Sequence, residues 1–200
     1  MYPSLDKKKQ LNLILDILDF VYYLRENTLA DDEFEKIDIS KLLNEKYLEK
    51  EFENFQKKAV TSNLFNVEEF LNSTSHFTLT DKYNNVLSLT SSIESSFGSR
   101  LLVDGFFLNN QLTDFSFKPY DEKGRKLKNK PAAGKSPLSS MTPLIIFDEN
   151  KNFHLSIGSP GGKAIISYVV KSLIDILYLE SKLQTTIQSA NYVKIRGKTF

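Results

Sequence analysis

Apolar residues recur at helical spacing in the first third of the chain, and further on they gather in runs of strand length. Leu11, Ile14, Leu15, Leu18, Val21 and Tyr22 fall on one stripe, the spacing of an amphipathic helix. Ile39 to Lys58 predicts a second helix, with Ser40 as its cap and Leu42, Leu43, Tyr47, Leu48 and Phe52 as its buried face. Beyond Ser73 the period changes. Phe77 and Leu79, then Val86, Leu87 and Leu89, flank Asp81-Lys82-Tyr83-Asn84-Asn85, whose side chains favour a turn. Phe106-Phe107-Leu108 and Leu144-Ile145-Ile146-Phe147 are short apolar runs bounded by Gly, Pro or Asp. His154-Leu155-Ser156-Ile157 is a further strand leading into Gly158-Ser159-Pro160-Gly161-Gly162, after which a helix is expected from about Lys163 to Leu179. Lys118 to Lys135 has no periodicity and predicts a loop. Helices first and strands later make an α+β chain.

Composition narrows the possible functions. Of 200 residues, 40% are apolar and 12% aromatic, which is enough for a packed core. The net charge of +1 gives no reason to expect nucleic acid or an anionic membrane. Residues 1–73 carry 10 Lys and Arg against 15 Asp and Glu, and the remainder 16 against 10, so charge and composition both shift near Thr74. Lys123, Arg125, Lys126, Lys128, Lys130 and Lys135 form a basic run, but only Tyr120 is near. A single-strand nucleic-acid surface interleaves aromatics with its cations, so the run reads as a solvated excursion between strands. Cysteine is absent and the histidines are His76 and His154 alone, which excludes disulfides, thiolate metal sites and a cysteine nucleophile. No metal or cofactor is expected. Ala164 to Leu179 is too short to span a bilayer and is interrupted by Lys171 and Asp175. Lys7-Lys8-Lys9 followed by Leu11–Leu18 has the outline of an export signal. Asp16, Asp19 and the lack of a small-residue cleavage site favour a plain helix, and the compartment stays open.

The chemistry gathers in four polar segments. They are Asn72-Ser73-Thr74-Ser75-His76-Phe77, Ser91-Ser92-Ile93-Glu94-Ser95-Ser96-Phe97-Gly98-Ser99, Leu108-Asn109-Asn110-Gln111-Leu112-Thr113-Asp114-Phe115, and Gly134-Lys135-Ser136-Pro137-Leu138-Ser139-Ser140-Met141 together with Gly158–Gly162. Each alone has an ordinary structural explanation. Together, hydroxyls and acids without a usable histidine dyad suggest a threonine nucleophile. Its base would be its own backbone amine, freed when the preceding bond is cut.

In order and spacing these segments resemble the gamma-glutamyltransferase (glutathione hydrolase) family of N-terminal-nucleophile hydrolases, made as one precursor that cleaves itself before a threonine. The likeness is most specific from Ser73 to about Leu177 and continues more weakly back to Leu11. It implies residues 1–73 as the C-terminal helical part of a large-subunit-like region, and 74–200 as a truncated small-subunit-like catalytic region. The implied fold is a partial αββα sandwich. Part of each sheet would be missing, leaving apolar strand faces open.

The resemblance also implies roles for named residues. Thr74 would cut the bond after Ser73 and then act as nucleophile, with an amine whose ordinary pKa of about 7.7–8.0 suits a base near neutral pH. Ser92 matches a second hydroxyl, usually Thr, bonded to the nucleophile. Gln111 and Asp114 match the residues that hold a substrate α-ammonium, Ser139 and Ser140 those that hold its α-carboxylate, and Gly161 and Gly162 the oxyanion site. Glu94 stands in the substrate pocket where the better-known members carry Asn. His76 matches a structural histidine, and His154 is read as a strand residue. The implied substrate is glutathione or another γ-glutamyl compound, and the implied acceptor is water, an amino acid or a peptide. The family's carboxylate-clamping arginine has no counterpart in this chain, so a large-subunit polypeptide is an implied partner. The alternative is an inactive fragment, or a glutamate-binding remnant without catalysis.

Overall fold

A computed structural model describes residues 5–57, 74–121 and 124–200. Lys58 at the expected end of the second helix, Asn72 and Ser73 at the expected cleavage point, and Lys123 of the basic run lie outside the described residues. The mixture of helices and antiparallel hairpins is α+β. The described residues group into two compact units. One holds the residues before 58 with Asp114–Leu138 and Tyr192–Phe200; the other holds those from Thr74 to Thr113 with Ser139–Asn191.

In the first unit, α1 (Lys7–Thr28) starts where the Asp6 carboxylate accepts from the Lys9 backbone N–H at 3.0 Å. Its apolar stripe buries Ile14, Leu15, Leu18 and Tyr22 as the spacing requires, while Leu11 and Val21 stay at the rim. Phe20 and Leu24 turn to another side and join Phe55, with Phe52 packed against them at 5.3 Å between the rings of Phe20 and Phe52. The second expected helix is broken in two, α2 (Ile39–Leu42) and α3 (Glu45–Gln56). Asp38, not Ser40, caps α2 by accepting from the Lys41 N–H, and Asn44 caps α3 by accepting from the Tyr47 N–H at 2.9 Å. A short amide side chain competes with the helix for backbone partners, so Asn44 ends one helix and starts the next. Leu43, expected in the buried face, is left exposed at the break.

The aperiodic segment is not simply solvated. Asn129 is buried, receives Leu138 N–H on its Oδ1 and donates to the Asp114 carbonyl at 2.8 Å. Lys135 is buried with its ammonium on the Lys128 carbonyl, and Ser136 N–H reaches Asp31 at 2.7 Å. Polar side chains here supply the backbone partners that a ladder would otherwise give. The same unit contains a short hairpin, β7 (Lys194–Ile195) and β8 (Lys198–Thr199), that lies along α1. Lys194 pairs with Asp16 at 2.6 Å, Arg196 with Glu26, and Gly197 N–H donates to the buried Asp19.

The second unit is built on hairpins. Strand β1 (Ser75–Thr80) pairs antiparallel with β2 (Val86–Ser91), from Ser75 opposite Ser91 to Thr80 opposite Val86. Strand β3 (Leu102–Val103) pairs with β4 (Phe106–Phe107), and β5 (Leu144–Phe147) with β6 (Phe153–Ile157), which places every expected apolar run in or beside a strand. The first and last hairpins meet through Thr78 and Ser156 hydroxyls 2.8 Å apart and a Ser88 hydroxyl on the Leu144 carbonyl. Among the described residues all four sheets are two-stranded, and Phe77, Leu79 and Leu87 are about half exposed. The helix expected from about Lys163 begins as a single turn at Gly162–Ala164 and continues as α4 (Ile165–Leu173). It then widens to a π-turn at Ile174–Tyr178, beside a buried Lys171 paired to Asp175 at 3.1 Å. A short helix, α5 (Leu183–Gln188), follows.

Two turns share one device. Asp81 accepts from the Tyr83 and Asn85 N–H groups and from the Asn85 amide; Asp148 does the same with Asn150 and Asn152. These bonds, chiefly from the Asn85 side chain and the Asn152 backbone, hold both carboxyls below the usual value of 3.8. A lowered native pKa contributes stability above the unfolded value and loses it as pH falls through the native one. The Asp81→Asn, Asp148→Asn variant is therefore expected to melt lower than the parent at pH 7, with a flatter melting curve between pH 5 and pH 2. Calorimetry across that range would measure it, and parallel pH curves would remove these carboxylates from the acid response.

Candidate functional site

Strand register creates the first contact of the site. With Ser75 opposite Ser91, the residues one step beyond, Thr74 and Ser92, face each other across the open end of the β1–β2 ladder. Thr74 is buried, and its Oγ1 donates to Ser92 Oγ at 3.2 Å. Ser92 Oγ also accepts the Glu94 backbone N–H at 2.9 Å. Two donors converging on one hydroxyl fix it in place, which in turn fixes the threonine rotor. Glu94 has φ of 75°, a left-handed conformation unusual for a residue with a side chain. Its carboxylate Oε2 is held by Ser95 Oγ at 2.5 Å and by Asn110 Nδ2 at 2.9 Å, and Asn110 Oδ1 accepts Ser95 N–H at 3.0 Å.

Gln111 opens a single 3-10 turn, Gln111–Asp114, whose first N–H is capped by Asn109 at 3.0 Å. Asp114 is half-buried and counts with the other unit, where its carbonyl accepts from Asn129. Ser139 is exposed and its hydroxyl accepts the Met141 N–H; Ser140 is half-buried, with its carbonyl bonded by Thr142 Oγ1 at 2.8 Å. Gly161 and Gly162 form the turn into α4, with φ of 129° and 52°. A Cβ on Gly161 would stand 2.7 Å from the Tyr168 ring, so glycine is required there for space as well as for backbone angle. Amides in the turn before a helix lack intrahelical partners and sit at the positive end of its dipole, which suits a developing negative charge.

His76 is tied to the sheet rather than to Thr74. Its Nδ1 lies 2.8 Å from Thr90 Oγ1, its register partner, and its Nε2 is 3.4 Å from Thr78 Oγ1. The ring lies flush on Gly158, where a Cβ would be 2.2 Å from Nδ1. A cleft of about 370 Å³ opens on this side, lined by His76, Thr78, Ser156 and Ser159 opposite Val169 and Leu183; Thr74 and Ser92 are not part of its lining. His154 is exposed on β6. Among the described residues no group of three or more His, Asp or Glu could hold a metal ion, and no helix is long and apolar enough to cross a membrane.

The structure thus joins Thr74, Ser92 and Glu94 by direct bonds and leaves Ser139–Ser140 and Gly161–Gly162 in separate turns of the same unit. It adds Asn110 and Ser95, to which sequence reasoning gave no role. The only signal was an Asn doublet directly before Gln111, and Asn in a loop is ordinarily read as turn chemistry.

Residues 2–196 match the family model described as Gamma-glutamyltranspeptidase. The chain is 39% identical over 117 residues to the glutathione hydrolase proenzyme of Bacillus subtilis, an alignment covering 58% of this chain and 19% of that protein. It is 32% identical over 168 residues to an Arabidopsis thaliana protein named as a suspected inactive glutathione hydrolase 4, covering 76% of this chain and 86% of that one. Among solved structures, a mutant gamma-glutamyltranspeptidase of Helicobacter pylori superposes with a TM-score of 0.52 at 34% identity, over 58% of this chain and 66% of that one. The chain thus spans about a fifth of the Bacillus subtilis relative's length and just under two thirds of the Helicobacter pylori chain.

Proposed function

The chain belongs to the gamma-glutamyltranspeptidase family, and on that footing we propose that it carries the threonine-nucleophile part of a γ-glutamyl hydrolase or transferase acting on glutathione and related amides. The observation that carries this reading is the buried Thr74 hydroxyl bonded to Ser92 at the open end of β1–β2. Residues 1–73 correspond to the end of a large subunit and 74–200 to a small one, within a partial αββα sandwich. A large-subunit polypeptide supplies the rest.

The proposed steps use this chain's own groups. Thr74 Oγ1 attacks the carbonyl of Ser73; the resulting ester is hydrolysed and leaves Thr74 with a free α-amine. That amine takes the hydroxyl proton as Oγ1 attacks the γ-glutamyl carbonyl, and returns it to the departing amide nitrogen. Gly161 and Gly162 N–H groups receive the oxyanion. Water or an amino acid then attacks the acyl ester and restores the threonine. Asp114 and Gln111 hold the donor's ammonium, Glu94 adds to its recognition, and Ser139 and Ser140 hold its carboxylate.

Removing the partner of a desolvated ammonium costs about 2–5 kcal/mol of binding. Asp114→Ala is therefore expected to raise KM for a γ-glutamyl anilide steeply and to leave a glutaryl anilide, which lacks the amine, nearly unchanged. Steady-state kinetics with both donors makes the comparison, and an equal loss on both would make Asp114 a structural residue. A second reading, an inactive fragment of such an enzyme or a glutamate-binding remnant without catalysis, draws on the Arabidopsis relative, of which this chain covers the larger share and whose name marks suspected inactivity. A γ-glutamyl anilide assay of the chain with a large-subunit polypeptide separates the two.

A further inference from the structure

We infer that Asn110 is a positioning residue that sets the Glu94 carboxylate for recognition of an α-ammonium; this rests on the γ-glutamyl reading above. Four observations on the Glu94 loop lead there. Glu94 adopts a left-handed backbone at φ 75°, a conformation that persists only where surrounding bonds over-determine it. Asn110 provides those bonds from 16 residues away. Its Nδ2 donates to Glu94 Oε2 at 2.9 Å and to Ser95 Oγ at 2.9 Å, while its Oδ1 accepts Ser95 N–H at 3.0 Å. The Asn110 N–H meanwhile reaches the Ile93 carbonyl at 3.3 Å, so backbone and side chain grip the residues on both sides of Glu94. Finally, Glu94 N–H is one of the two donors on Ser92 Oγ, the hydroxyl that holds Thr74.

The consequence is directional. Asn110 and Ser95 both engage Oε2, so the carboxylate is held in a single orientation rather than swinging with its three side-chain torsions. A pinned carboxylate recognises an ammonium without losing further rotamer entropy on binding. Gln111, adjacent in the chain, is placed by the same turn, because Thr113 N–H and Thr113 Oγ1 both bond the Asn110 carbonyl. Asn110 therefore acts on ligand through Glu94 and touches no reacting atom itself.

The test is titration of the isotope-labelled 200-residue chain, combined with its large-subunit polypeptide, by NMR with L-glutamate and with glutarate, which lacks the ammonium. Asn110→Leu, near in size and without donor or acceptor, is expected to weaken L-glutamate about tenfold or more and to change glutarate less than twofold. Asn110→Ser keeps a donor without added bulk and is expected to fall between; it carries the comparison if the leucine variant does not fold. In a Glu94→Gln background, either change at Asn110 is expected to alter L-glutamate affinity less than threefold. Equal weakening of both ligands, or an undiminished loss in the Glu94→Gln background, would overturn the inference while leaving the γ-glutamyl reading standing. A wild-type complex of the two polypeptides that shows no L-glutamate titration would overturn the glutamate pocket, and this inference with it.

Discussion

Thr74→Ala is expected to eliminate two activities at once. Expressed with a large-subunit polypeptide of the family, the parent chain should yield a fragment whose first residue is Thr74, and the alanine variant should stay uncut. Loss of a nucleophile typically removes about 10⁴- to 10⁶-fold of kcat, so γ-glutamyl anilide hydrolysis should fall to background. Thr74→Ser keeps a hydroxyl of the same reach to Ser92 and is expected to retain slow cleavage and slow turnover. The structural cost of the alanine change should be small, since it removes one 3.2 Å bond and a methyl group at the end of a ladder whose register is set by β1 and β2 themselves. Gel and mass analysis of both variants checks it. Cleavage that persists at the same bond in Thr74→Ala would move the nucleophile elsewhere.

The second large effect is at Gly161. Its φ of 129° is one that only glycine adopts without strain, and a Cβ would lie 2.7 Å from the Tyr168 ring. Gly161→Ala should therefore cost about 1–3 kcal/mol in backbone strain alone. It also displaces the amides assigned to the oxyanion, and loss of one such donor costs about 10²- to 10³-fold in kcat. Gly105, in the turn between β3 and β4, serves as the control: φ is 87°, but nothing lies within 4 Å of an added Cβ. Gly105→Ala is expected to lower the melting temperature and leave kcat within twofold. If Gly161→Ala stays folded and turns over at the parent rate, the oxyanion is held by other donors.

How much of this is legible in the sequence depends on how far each residue reaches. The apolar stripe of α1 and the runs in β1, β2, β5 and β6 are legible because side-chain period is a local property. The break at Leu43–Asn44 was not, because a capping amide outweighed an apolar pattern that ran across it. Nor was the burial of Lys135 and Asn129, whose partners, the Lys128 and Asp114 carbonyls, follow from how the loop folds rather than from any periodicity. Nor does the Lys194–Thr199 hairpin show in the pattern: two strands of two residues carry too little alternation to register. In the site, the Thr74 and Ser92 hydroxyls stood out through the resemblance, and β1–β2 register brings them together. Asn110 stayed silent because its meaning depends on a carboxylate 16 residues earlier, bent back by a left-handed turn.

Covalent capture at Thr74 is the most direct measurement. The processed chain, with its large-subunit polypeptide, is incubated with an electrophilic glutamate analogue, digested and read by tandem mass spectrometry. The expected result is one adduct, on the hydroxyl of the N-terminal Thr74 of its peptide, blocked by excess L-glutamate and lost in Thr74→Ala. An adduct on any other residue, or turnover of γ-glutamyl anilide that survives without labelling of Thr74, would contradict a threonine nucleophile at this position.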